Sequence, residues 1–190
     1  VSLLEGPISA CQRCDRLAKY CATFRKLKDG TPSIYWGRAV PGFGDPKAEL
    51  LVIGLAPGAQ GANRTGRPFT GDAAGEVLYR VLNRHGFSNL AAVEDKNDGL
   101  QLRNTYITNA VKCVPPGNKP LGEEKINCLD WLADELAQLS NVKLVLAMGR
   151  EAFQSYLRLQ KSAGHIRSLN QYPFEHNRSY SFDGDHRVLL

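Results

Sequence analysis

Four short apolar runs, each followed by a turn and then a helical pattern, constrain this chain most. "AELLVIGL" (48–55), "NTYITNAV" (104–111), "VKLVLAMG" (142–149) and "HRVLL" (186–190) are too apolar to keep a wet face, so they predict buried parallel strands. Between the first two, Ala74, Val77, Leu78, Val81 and Leu82 recur at helical spacing, with Gly86 as the stop. A second helix is predicted from about Leu121, its stripe formed by Ile126, Leu129, Leu132, Ala133, Leu136 and Leu139; a third begins near Arg150. Alternating strands and helices predict an α/β/α layered domain with right-handed crossovers. At 190 residues and 43% apolar content, one domain with one sizeable core is expected.

That architecture places a ligand site beyond the carboxyl ends of the strands. "GLAPGAQGANRTGRPFTGD" (54–72) leaves the first strand, "TNAVKC" the second and "AMGRE" the third. The glycines of "GLAPGAQG" let a ligand approach bare backbone. No Gly-Lys-Ser/Thr follows, which excludes a Walker loop, and no helix opens directly after the glycines, which excludes the dinucleotide fingerprint. Asp72 precedes the first helix and suits an N-cap. Phe69 offers an aromatic face for a planar base. Asn109 ends a buried strand, where its amide needs a partner; its donor and acceptor match the edge of a pyrimidine. Arg64 and Arg67 flank the crevice and are candidate phosphate contacts, and Gly149, in the loop after the third strand, joins them as a candidate DNA contact.

The formal charge of +5 favours a polyanionic partner. Five cysteines, an odd number, fit a complete disulfide framework poorly. Cys11-x2-Cys14 and Cys113-x14-Cys128 form two pairs, with Cys21 left over. Such pairs supply four ligands to a metal centre or are buried thiols, and counting does not separate iron–sulfur from zinc. The four histidines lack metal-type spacing. No apolar run approaches the roughly 20 residues of a membrane span, so a soluble, cytoplasmic chain is expected. Without heptads or a second apolar face, a monomer is the default.

The segments "GLAPGAQGANRTGRPFTGD" and "YITNAVKCVPPGNKP", with Cys11, Cys14, Cys113 and Cys128, closely resemble the family 5, or B-type, uracil-DNA glycosylases over nearly the whole chain. The resemblance implies a three-layer α/β/α sandwich around a four-stranded parallel sheet and a [4Fe-4S] cluster on those four cysteines. It implies a base pocket from Gly54, Leu55, Ala56, Pro57 and Gly58, with Phe69 stacking on a flipped base and Asn109 reading its edge. Ala56 stands where many other glycosylases place a water-activating polar residue, which leaves Asp72 to position water or stabilise charge. The implied activity is excision of uracil, and of deaminated purines such as hypoxanthine, from DNA by hydrolysis of the N-glycosidic bond.

The rival readings are a family 4 (A-type) glycosylase, disfavoured by Ala56 and Gln60, and a non-catalytic iron–sulfur or zinc nucleic-acid-binding module. Gln60 replaces a histidine frequent in the family. The family's His-Pro-Ser segment after the fourth strand is not in this sequence, so residues 1–190 are expected to form a single glycosylase domain short of its C-terminal end, with little activity unless that segment is added.

Overall fold

The computed structural model describes residues 1–190 except Lys28 and Pro32. Helices α1 (Glu5–Ser9) and α2 (Asp15–Thr23) precede strands β1 (Phe43–Gly44) and β2 (Leu50–Gly54). Then come α3 (Ala62–Thr65), α4 (Ala73–Arg84), β3 (Thr105–Asn109), α5 (Gly122–Asn127), α6 (Leu129–Gln138) and β4 (Leu144–Ala147). The chain continues through α7 (Arg150–Ser162), β5 (Tyr180–Phe182) and β6 (Asp185–Leu189).

The sheet is mixed and has six strands in the order β1-β3-β2-β4-β6-β5. This corrects the expected four-stranded, wholly parallel sheet. The inner four strands run parallel, while β1 on β3 and β5 on β6 are antiparallel. Neither edge strand carries a long apolar run: β1 is two residues of pairing, and β5 is a short hairpin partner turning back through Gly184 at φ 79°.

Alternation along β2 builds the layers. Leu51 and Ile53 enter one core with Tyr106, Val145, Leu132 and Leu136 of α6, and Phe153 and Tyr156 of α7. Val52 enters another with Ile107 and with Leu78, Tyr79 and Leu82 of α4. Helices therefore cover both faces, as strands buried on two sides require. Two helical stripes differ from expectation. Val77 and Val81 are 62% and 49% exposed, because α4 presents Gly75, Leu78, Tyr79 and Leu82 to the sheet instead. Ile126 is 61% exposed, because the single helix expected from Leu121 breaks at Cys128 into α5 and α6.

Two segments expected to be polar excursions also carry structure. Residues 167–186 contain β5 and an aromatic group in which Tyr172, Tyr180 and Phe182 meet, with Phe153 against Phe174 and Tyr180. Residues 93–101 bury Leu100 and carry Asp98, which pairs with Arg67. Among the described residues, no helix is long and apolar enough to cross a membrane.

Candidate active site

Parallel pairing sets Gly54 of β2 beside Asn109 of β3, and Ile53 beside Ala147 of β4, so three carboxyl ends share one rim. A cavity of about 350 Å³ opens there. The chain leaving β2 lines it from Gly54 to Gly58, and Phe69, Asp72 and Asn109 complete the expected set. Structure thus brings together every residue assigned to the base pocket.

Gly54 is glycine because two side chains meet over it. A Cβ there would lie 2.5 Å from Asn109 Oδ1 and 2.6 Å from Phe69 Cζ, inside any tolerable contact. Asn109 is almost wholly buried, yet its side-chain amide has no hydrogen-bond partner among the described residues. On the cavity wall, that amide keeps a donor and an acceptor free for whatever enters. Phe69 holds a left-handed backbone at φ 53°, uncommon for a bulky residue and typical of functional sites.

Asp72 fills two places at once. Its Oδ1 accepts the Gly75 N–H at 2.9 Å, capping α4, as the helix-start pattern predicts. Its Oδ2 points instead at the glycine loop, 3.4 Å from where a Cβ on Gly58 would stand and in collision with one on Gly61. One carboxylate oxygen is therefore structural, and the other faces the cavity.

The intervening loop is braced from beneath. Arg67 Nε donates to Thr70 Oγ1 at 3.0 Å, and the Tyr79 hydroxyl donates to the Pro68 carbonyl at 2.9 Å. The Arg67 guanidinium grips both oxygens of Asp98, at 2.8 and 2.6 Å, in a bidentate pair. Burial alone would raise the Asp98 carboxyl, but hydrogen bonds from Arg67 and from the N–H groups of Glu94 and Leu100 prevail and hold it at about 2. Arg67 is 2% exposed, so its assignment as a phosphate contact is corrected: its fork is consumed inside the fold. Arg64 remains half-exposed, its Nε on the Gln60 carbonyl at 2.9 Å. The Gln60 side chain accepts from the Tyr35 hydroxyl. Gly149, at φ 101°, is the N-cap of α7.

Pro115, Asn118 and Met148 also line the cavity and were not foreseen as site residues. Their loops leave β3 and β4 at the rim, so the carboxyl-end rule pointed to the loops; nothing in local spacing singled out the side chains.

Cys113, Cys128 and Cys21 lie in one buried group with Ile8, Leu17 and Val111, and the half-buried Cys11 and Cys14 pack against it. Three of the sulfurs receive N–H donors: Trp131 Nε1 to Cys11 at 3.3 Å, Asn127 Nδ2 to Cys14 at 3.6 Å, and the Lys112 amide to Cys128 at 3.2 Å. The Cys113 thiol is pushed up by its hydrogen bond with Cys21 and by burial. Burial lifts that of Cys128 to about 11, despite the nearby Lys112 charge. Among the described residues, no three His, Cys, Asp or Glu side chains close on a site for a single metal ion.

The uracil DNA glycosylase superfamily model matches residues 41–186. The type-5 uracil-DNA glycosylase of Thermus thermophilus is 42% identical over 188 residues, covering 96% of this chain and 81% of that protein. That of Mycobacterium leprae is 44% identical over 159 residues, covering 82% and 69%. The type-4 uracil-DNA glycosylase of Sulfurisphaera tokodaii is 34% identical over 114 residues, 60% of this chain and 46% of that protein.

Proposed function

Because the chain belongs to the type-5 uracil-DNA glycosylases and is thereby an enzyme of DNA glycosylase repair, we propose that it takes a uracil, or a deaminated purine such as hypoxanthine, out of the duplex and hydrolyses its N-glycosidic bond. The observation that carries this reading is the convergence, in one cavity, of an unpartnered amide at Asn109, the Phe69 ring and the free oxygen of Asp72. A flipped base enters a pocket by stacking on an aromatic face and is read along its polar edge, which is what Phe69 and Asn109 offer.

Bond cleavage leaves positive charge on the sugar and negative charge on the departing base. A dissociative path of this kind needs placed charges and dipoles more than a strong nucleophile. The glycine-rich backbone from Gly54 to Gly58 receives the base, and Asp72 Oδ2 stabilises the oxocarbenium-like sugar and orients the attacking water. Asp72 can do this without losing its hold on α4, because its two oxygens are divided between the tasks. Arg64 and the backbone at Gly149 lie at the surface to meet phosphates of the strand, and one chain acts on one DNA site.

We propose that the sulfur group holds a [4Fe-4S] cluster. A buried thiolate is tenable only beside compensating positive charge, and the N–H donors aimed at Cys11, Cys14 and Cys128 are the kind that iron–sulfur thiolates receive. Cys11, Cys14, Cys113 and Cys128 would hold it, and it would supply a structural cross-link between the N-terminal helices and the loop after β3.

Single-turnover assays of the full-length protein, its His-Pro-Ser segment included, on duplexes carrying one uracil or one hypoxanthine test the activity. Abasic product from uracil is expected; no excision from either duplex would sink the proposal.

A further inference from the structure

The Asn109 amide makes no hydrogen bond to the described protein, so something other than a side-chain partner must fix how it faces the cavity. Its backbone carbonyl accepts from Lys112 Nζ at 2.9 Å. That ammonium also donates to Thr108 Oγ1 and to Glu135 Oε2, each at 2.6 Å, so its three protons meet three acceptors. Glu135 is equally engaged: Oε2 takes the Thr108 hydroxyl at 2.7 Å as well as Lys112, and Oε1 takes the Gly42 amide at 2.8 Å. Lys112 and Glu135 are both 0% exposed. Two opposite charges wholly out of water are costly to desolvate, and apolar residues of similar volume often do no worse for stability. Core filling alone does not account for an ion pair at this place.

We propose that Lys112 is the positioning residue for base recognition: anchored by Glu135, it clamps the carbonyl of Asn109 and so sets the angle at which the Asn109 amide meets the base. The inference rests on the reading of Asn109 as the residue that faces the base. A reader held by two short side-chain torsions on a rigid backbone discriminates well; one on a loosened strand end accepts more than one edge. The clamp sits where the chain leaves the sheet, its Lys112 carbonyl taking the Val40 amide at 2.7 Å. Ala110 and Val111 still pair with Gly54 and Leu55 at 2.8 and 2.9 Å, whereas the next residue turns away toward the sulfur group, its own amide on Cys128. Lys112 thus joins the base reader to the cysteine loop through one side chain and one backbone N–H.

The test compares the wild-type protein with Glu135→Gln and with the double variant Lys112→Met/Glu135→Gln, which removes both buried charges together. Single-turnover rates are measured on saturating uracil and hypoxanthine duplexes, alongside iron content and affinity for a duplex with an uncleavable abasic analogue. The double variant should keep its iron and bind the analogue within twofold of wild type, while the uracil-to-hypoxanthine rate ratio shifts at least tenfold. Glu135→Gln should shift it in the same direction by less, and it decides the matter alone if the double variant does not fold. A second readout is free of activity: the side-chain NH₂ resonances of Asn109, assigned through Asn109→Asp, should move or broaden in either variant. Rate ratios within twofold of wild type, or unmoved Asn109 resonances, overturn the clamp. A wild-type protein that excises neither base overturns the glycosylase reading instead, and the resonances still decide whether Lys112 positions Asn109.

Discussion

At the scale of single residues, the division of labour within Asp72 separates two effects that alanine would confound. Alanine removes both the cap and the cavity-facing oxygen and should cost about 1 kcal/mol of stability together with the rate. Serine keeps a capping oxygen for the Gly75 amide. Asp72→Ser should therefore unfold in urea within about a few tenths of a kcal/mol of wild type, yet excise uracil roughly 100-fold more slowly, the usual loss when one charge-stabilising group goes. A rate equal to wild type would reduce Asp72 to a cap. Gly54→Ala is the complementary case. Its methyl has to displace Asn109 Oδ1 and the Phe69 ring together, an overpacking cost of about 1–3 kcal/mol, and the surviving folded protein should no longer retain free uracil in equilibrium dialysis. The residues that line the cavity from Gly54 to Gly58, with Phe69 and Asn109, were legible in the sequence through the family resemblance of their motifs and the rule that places ligands at strand carboxyl ends. Asn118 and Met148 were not, because their contribution comes from where the rim closes and not from their neighbours in the chain.

At the scale of elements, the loop between α3 and α4 is shaped from outside itself. Arg67 reaches 31 residues along the chain to Asp98, a separation that no local pattern reports, which is why the sequence made it a surface cation. The same holds for β1 and β5: strands of two and three residues have no periodicity to read and exist because β3 and β6 offer them an edge. The long parallel strands were legible because burial on both faces forces continuous apolar runs. Arg67→Met leaves the Asp98 carboxylate without its partner and should destabilise the fold by about 3–5 kcal/mol, read by urea unfolding. The depressed Asp98 carboxyl also fixes a pH window. Its contribution is complete above about pH 4, where an unfolded aspartate is ionised, and is lost as the pH falls through about 2, where the folded one takes up its proton. Acid titration of wild type against Asp98→Asn should show this loss between those limits only in the wild type; parallel curves would contradict it.

For the whole molecule, charge and sulfur content lead to two measurements. A net charge of +5 predicts salt-sensitive DNA affinity. Arg64→Ala should lower the slope of log affinity against log salt by about one and leave the preference among bases unchanged, as a lost phosphate contact does. Purified protein should be brown and carry about four irons per chain, and Cys21→Ser should keep them; an anaerobic preparation holding one zinc would refute the cluster assignment. Finally, the exposed run around Asp95 divides the chain so that Cys11, Cys14 and the Gly54–Asp72 loop fall on one side, and Asn109, Cys113 and Cys128 on the other. Neither piece owns a complete pocket or a complete set of thiolates. With the proposed cluster, two polypeptides made separately, 1–95 and 96–190, would each be colourless, and visible absorbance would appear only when they dock, turning a repair enzyme's fold into an optical report of its own assembly.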